Sequence, residues 1–199
     1  MFVADSLVVI GMAVASLGTI QEADGAKEHT FWLRNAGQQA VTITQGYTSC
    51  GCTTIHYDKA KAIAPGDSSK VTLRFNPRGK GGEFYESGTL EYGQKRKRLQ
   101  LALKGTCITS EETLLKQFPI QVSKDIRLSA NRFDLGYMSV GDSKERHITI
   151  LYTGKGNKKE MRTVHFTVDA KTPKGLQHIA YPLKIGKQQT TITLDVFIR

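Results

Sequence analysis

The chain has 199 residues, 39% hydrophobic and 23% charged, enough for one large domain or two small ones and unlike a disordered composition. Its 28 Lys and Arg outnumber 18 Asp and Glu, and the net charge of +10 is spread over both halves, which favours solubility and weak attraction to anionic surfaces without naming a partner. No apolar run reaches the ~18 residues of a membrane-spanning helix, and 19 glycines among many Thr, Val and Ile residues point to short strands with frequent turns.

The first twenty residues, MFVADSLVVIGMAVASLGTI, carry two readings. Leu7 to Ala15 resembles the apolar stretch of an export signal, with AVA before Ser16 as a cleavage site, yet no Lys or Arg precedes it and Asp5 stands where positive charge belongs. An internal repeat favours a strand. Ser16–Leu33 aligns without gaps on Asp134–Leu151 at a spacing of 118 residues, placing Leu17, Gly18, Asp24 and His29 on Leu135, Gly136, Asp142 and His147. The second copy is preceded by VSKDIRLSANRF, which has no signal character, so DSLVVIGMAVA is read as a first strand and any export signal is expected upstream of Met1.

Strict alternation follows. Phe31 and Leu33 oppose Thr30, Trp32 and Arg34; Val41 and Ile43 oppose Thr42 and Thr44; Val71, Leu73 and Phe75 oppose Thr72 and Arg74; Leu99, Leu101 and Leu103 oppose Gln100 and Lys104. Each segment therefore has one buried and one wet face, as strands do. Between them, Asn35 and Gly37 are residues that tolerate positive φ, Pro65-Gly66 suits a tight turn, Asn76–Glu83 is a glycine loop, and Gly93 marks a hairpin. CITSEETLLKQFPI reads as a linker with room for one helical turn, and alternation resumes through Ile148, Ile150, Val164, Phe166 and Val168 to Ile192, Leu194, Val196 and Ile198. The expectation is an all-β protein of two tandem immunoglobulin-like β-sandwich modules, residues 1–109 and 119–199, joined by a linker at 110–118.

The elements Asn35-x-Gly37, Cys50-Gly51-Cys52-Thr53 and Pro65-Gly66, with the Leu17–Ile20 strand before them, agree in order with a known pattern. Over residues 7–107 the chain resembles an uncharacterised family of immunoglobulin-like domains from Gram-negative envelopes, similar in fold to the ASH and major-sperm-protein sandwiches. The resemblance implies a periplasmic or envelope-facing protein, with any membrane association through an anchor outside this chain. The second module lacks Cys-Gly-Cys, so no site carries over to it.

Three cysteines allow one intramolecular bridge. In such a sandwich the strands ending at Cys50 and Cys107 run parallel to the same pole, which makes Cys107 the expected partner of Cys50 or Cys52, worth about 4 kcal/mol by loop closure. A Cys50–Cys52 bridge is less favoured, because residues two apart in an extended strand sit near the limiting Cα separation unless Gly51 bends the chain. The sharper alternative is a soft-metal site for copper or zinc built from Cys50, Cys52, Cys107 and His56, or a redox centre on the same cysteines.

Lys95, Arg96, Lys97 and Arg98 form the densest basic run, a candidate site for anionic surfaces or glycans. It carries no recognition motif or interleaved aromatics, so no nucleic-acid partner is expected. No nucleophile elbow, phosphate loop, HExxH or close carboxylate pair stands out, and His29 and His147 read as structural through the repeat. The sequence thus points to a non-catalytic binding or scaffolding protein without a cofactor, whose partner is a protein or a cell-surface glycan. Thiol or metal handling at Cys-Gly-Cys is the alternative, and anion-surface binding the weaker one.

Overall fold

The structure, a computed structural model, describes residues 6–59, 61–171 and 174–199. Asp5, the first residue of the expected strand, and the charge reading of residues 1–5 lie outside the described residues. The chain divides into two compact units, Met1–Thr113 and Leu114–Arg199. No helix among the described residues is long and apolar enough to cross a membrane.

In chain order the first unit has β1 (Leu7–Ile10), β2 (Val14–Gln21), β3 (Lys27–Asn35), β4 (Val41–Thr48), β5 (Thr53–Tyr57), β6 (Ala62–Ile63), β7 (Ser68–Phe75), β8 (Gly82–Tyr92) and β9 (Lys97–Ile108). One sheet runs β1-β3-β7-β5 and the other β2-β9-β8-β4-β6. Alternation along each strand supplies the core: Phe31, Leu33, Val71, Leu73 and Phe75 pack with Val41, Ile43, Leu90, Leu101 and Leu103. Each such side chain, removed from water, contributes about 1.5–3 kcal/mol before entropy is counted.

The single expected first strand is two. β1 pairs antiparallel with β3, and β2 pairs parallel with β9 in the other sheet. The β2–β9 register shifts between Ser16 and Thr19, where Gly18 takes φ +64° and donates its N–H to Ser16 Oγ. Asn35 and Gly37 work differently from expectation, for neither has positive φ. Asn35 is fully buried, donates from Nδ2 to the carbonyls of Gln39 (2.7 Å) and Ile63 (2.8 Å), and accepts from Gly37 N–H (2.9 Å). The Asn-x-Gly spacing therefore makes a side-chain-closed turn that also staples β6.

The stretch 110–118 contains α1 (Glu111–Gln117), with Ser110 Oγ accepting from Thr113 N–H at its start. Leu114 and Phe118 are buried together with Leu151 in the second unit. That unit continues as β10 (Ile120–Ser123), β11 (Ile126–Leu128), β12 (Arg132–Met138), β13 (Ser143–Thr153), β14 (Lys159–Asp169), β15 (Gly175–Ile185) and β16 (Gln188–Ile198). Its sheets run β10-β11-β13-β14 and β12-β16-β15.

The repeat is real in three dimensions at its Leu-Gly pair. β12 runs parallel to β16, the register shifts between Asp134 and Tyr137, and Gly136 takes φ +62° while donating to Asp134 Oδ1. Beyond that pair the ungapped alignment fails by one residue. Phe31 and Leu33 face inward in β3, on the side of His29, whereas Ile148 and Ile150 face inward in β13 and leave His147 on the opposite side. A one-residue slip moves a strand's side chains to the other face, so the two histidines share no structural role. His29 packs edge-on to Phe31; His147 lies beside His165.

Candidate functional site

The site grows from the end of β4. At Thr48 the chain leaves its sheet, and the Thr48 hydroxyl donates toward the carbonyls of Cys50 (3.0 Å) and Thr53 (2.9 Å), while Thr53 N–H donates to the Cys50 carbonyl. This tightens residues 49–52 into a turn. Two residues in extended chain would stand about 6.6 Å apart; here the Cα atoms of Cys50 and Cys52 are 5.2 Å apart, and the two side chains form a disulfide.

The bridge to Cys107 expected from sequence is therefore not formed. Thr48 pairs with Gly88, which pairs in turn with Leu101, so β4 ends level with Leu101 and not with the end of β9. Six more residues of strand, about 20 Å, separate that level from Cys107. Cys107 is instead a free, buried thiol in the core, and its pKa is raised by burial and by the charge of Glu22. His56 is no companion either. It lies on the exposed side of β5, opposite to buried Thr53, with Nε2 3.2 Å from Thr54 Oγ1.

What joins the cysteines is Glu86, which the sequence reading missed. Its carboxylate and both sulfurs lie within 4.8 Å of one another, all half-buried. Ser49 holds it in place: the Ser49 hydroxyl donates to Glu86 Oε2 (3.1 Å) and accepts from Ser87 N–H (3.0 Å), while Ser49 N–H donates to the Ser87 carbonyl. Cys50 Sγ accepts the Cys52 N–H at 3.2 Å, and the Thr53 hydroxyl stands 3.5 Å from Cys50 Sγ and 3.9 Å from Cys52 Sγ. Beside the site, Gly88 lets β5 and β7 of the facing sheet pack close over β8: a Cβ there would come within 2.5 Å of Leu73 Cδ2 and 3.0 Å of Ile55 Cδ1.

A second acidic residue braces the same unit. Glu22 is buried and accepts from Gly79 N–H (2.9 Å), Ser110 N–H (2.7 Å) and Thr113 Oγ1 (2.5 Å). Burial raises its pKa, but the hydrogen bonds from Thr113, Gly79 and Ser110 outweigh that and bring it down to about 2. It ties the glycine loop after β7 to the start of α1.

With this geometry in view, the chain can be set beside known proteins. Residues 9–107 match DUF1573, a family of unknown function. The match coincides with the stretch on which the envelope-domain resemblance rests. No curated protein matches the sequence. Among solved structures, the VesB protease of Vibrio cholerae is similar at 17% identity and TM-score 0.41 over 51% of this chain, which spans only 31% of the protease chain. The ASH/PapD-like domain of human CEP192 is similar at 15% identity and TM-score 0.40, over 53% of this chain and 87% of that one. A protein of unknown function from Porphyromonas gingivalis W83 is similar at 11% identity and TM-score 0.37, over 96% and 99%. Likenesses this distant carry no argument about activity or partners.

Within the DUF1573 match lies the basic run as well. Lys95 and Arg96 are exposed at the β8–β9 turn, Lys97 and Arg98 open β9, and Arg98 Nε pairs with Glu91 Oε1 at 3.1 Å. β8 and β9 are interior strands of their sheet, so the run marks a hairpin tip and does not guard an edge. Glu86 did leave a signal in the DUF1573 stretch. It shares a face of β8 with Phe84, Gly88, Leu90 and Tyr92, an acid on an inward-facing row. Glu22 left none, because its partners lie 57, 88 and 91 residues away.

Proposed function

We propose that the protein is a non-catalytic binding or scaffolding protein of the bacterial envelope, which engages a protein or cell-surface glycan through the loops around Cys50–Cys52. The observation that carries this reading is the disulfide-closed turn at residues 49–52, braced by Thr48, Thr53 and Ser49. A loop fixed before binding loses less entropy on binding, and sandwich domains present function on such loops. The disulfide also supports an oxidising compartment.

The test is site-specific photo-crosslinking in cells. Gly51 suits the probe, because a side chain built there meets nothing within 4 Å. A photoreactive residue at Gly51 should give discrete adducts to protein or glycan, and one at Lys95 should not. Adducts from Lys95 with none from Gly51 would move the working surface to the basic hairpin and overturn the proposal.

A further inference from the structure

We propose that the Cys50–Cys52 disulfide gates a metal site: once reduced, Cys50, Cys52 and Glu86 bind one thiophilic divalent cation of the zinc or cadmium type. The cluster stands on its own geometry and not on the partner-binding reading, so its failure would leave that reading intact.

Two thiolates and a carboxylate are ligands that zinc accepts. A tetrahedral ion with Zn–S near 2.3 Å and Zn–O near 2.1 Å sets its ligand atoms about 3.5–3.8 Å apart. The three donors here already lie within 4.8 Å of one another, so side-chain rotation rather than backbone movement brings them to a common ion. The disulfide holds the sulfurs too close together for both to bind one ion, which makes oxidation the closed state. Opening it consumes a reductant of the dithiol class: the S–S bond breaks, two electrons pass from the donor, which becomes a disulfide, and Cys50 and Cys52 each take a proton. Metal binding then releases those protons to solvent.

The surroundings fit ligands more than a simple staple. Bound thiolates are commonly steadied by N–H and O–H donors, and ligating carboxylates by hydrogen bonds of their own. The Cys52 N–H already points at Cys50 Sγ, the Thr53 hydroxyl stands beside both sulfurs, and the Ser49 hydroxyl orients Glu86. The half-buried setting leaves a fourth position open to water or to a donor from a partner. Cys107, although a thiol, is excluded by its place in the core, and His56 by its outward orientation.

The experiment is a titration of the full chain with cadmium alone, after anaerobic reduction by a phosphine that is removed by desalting before the ion is added. The readout is the ultraviolet thiolate-to-cadmium charge-transfer band. Reduced protein should bind one equivalent and oxidised protein none. Cys50→Ser or Cys52→Ser should remove the band, Cys107→Ser should leave it unchanged, and Glu86→Gln should weaken binding about 10–100-fold while keeping the Ser49 contact and the far-ultraviolet dichroism. The proposal is overturned if the oxidised chain binds equally well, if reduced wild type shows no one-to-one band, if Cys107→Ser abolishes the band, or if folded Glu86→Gln binds like wild type.

Discussion

The two units share a frame and differ in what is mounted on it. Both place a strand parallel to the last one with a Leu-Gly register break, and both open the penultimate strand with a glycine, Gly82 opposite Cys107 and Gly175 opposite Ile198. In the first unit, β4, β5 and β6 lie between β3 and β7 in the chain, with Cys50 and Cys52 in the turn between β4 and β5. In the second, β13 passes through residues 154–158 straight into β14, so among the described residues no strand covers the outer edge of β15. The consequence shows six residues along the penultimate strand. There the first unit has Gly88, packed under Leu73 and Ile55; the second has Tyr181, stacked on Phe166 and 40% exposed. An aromatic ring half-closes the flank that two strands close in the other unit. The cysteine half of the site thus comes with the extra strands, while Glu86 stands on a strand the two units share.

Replacing these two residues one at a time gives the largest expected contrast. Gly88→Tyr has no space beside Leu73 and should destabilise the first unit by more than about 3 kcal/mol, read as loss of amide-exchange protection in β5, β7 and β8. Tyr181→Ala, at a half-exposed position, should cost the second unit about 1 kcal/mol. Equal effects would mean that β5 and β7 do not close over β8 as described.

Next is Asn35, which has a staple to make only where β6 exists. Asn35→Ala would strand the carbonyls of Gln39 and Ile63 and the Gly37 N–H. The expected loss is about 2–3 kcal/mol in chemical denaturation, with the β3–β4 turn and β6 losing protection first. An unchanged midpoint would reduce the Asn-x-Gly motif to a turn preference.

Glu22 sharpens the comparison through pH. Counting from the shared register Ile20–Cys107 and Met138–Ile198, its counterpart is exposed Val140, and the second unit's loop is closed instead by Asp142 accepting from Ser139 N–H. Because the folded pKa of Glu22, about 2, lies below its ordinary 4.5, its stabilisation is present above pH 4.5 and is lost as pH falls toward 2. Glu22→Gln should therefore cost about 2 kcal/mol near neutrality, with the gap to wild type closing between pH 4.5 and 2. A gap that stays constant with pH would show that packing, not charge, carries the effect.

Much of this frame was legible. The alternating rows at Val71–Phe75 and Ile192–Ile198 are strands with the expected faces, and the Leu17-Gly18 and Leu135-Gly136 pairs marked the same bulge in both units. Legibility ended where local pattern stops deciding geometry. The slip between β3 and β13 comes from a shorter loop, which alternation alone cannot place. The cysteine pairing was misjudged because the level at which β4 ends depends on its register with β8, a non-local quantity. Around Cys-Gly-Cys, the Thr48 hydroxyl, donating to the carbonyls of Cys50 and Thr53, and the Thr53 N–H, donating to the Cys50 carbonyl, form the turn that an extended-strand reading excludes.

The smallest expected effect lies on the outer face of the second unit, where charge replaces what the first unit does not need. Asp195 accepts from Arg132 Nε and sits against His178 Nδ1, both at 2.5 Å, and these hydrogen bonds hold its carboxyl below the usual range. Register puts Val14, Lys104 and Tyr85 at the corresponding places in the first unit, so no such cluster exists there. Because Arg132 and His178 are largely exposed, solvent screens the attraction and side-chain ordering offsets it. Arg132→Ala should therefore shift the thermal midpoint less than any of the changes above. The shift should shrink with added salt, and it should fade as pH falls through the carboxylate range, since a lowered pKa contributes its full stability above the unfolded value and loses it as pH falls through the folded one. A large, salt-independent loss would mean that the arginine stem matters more than its charge.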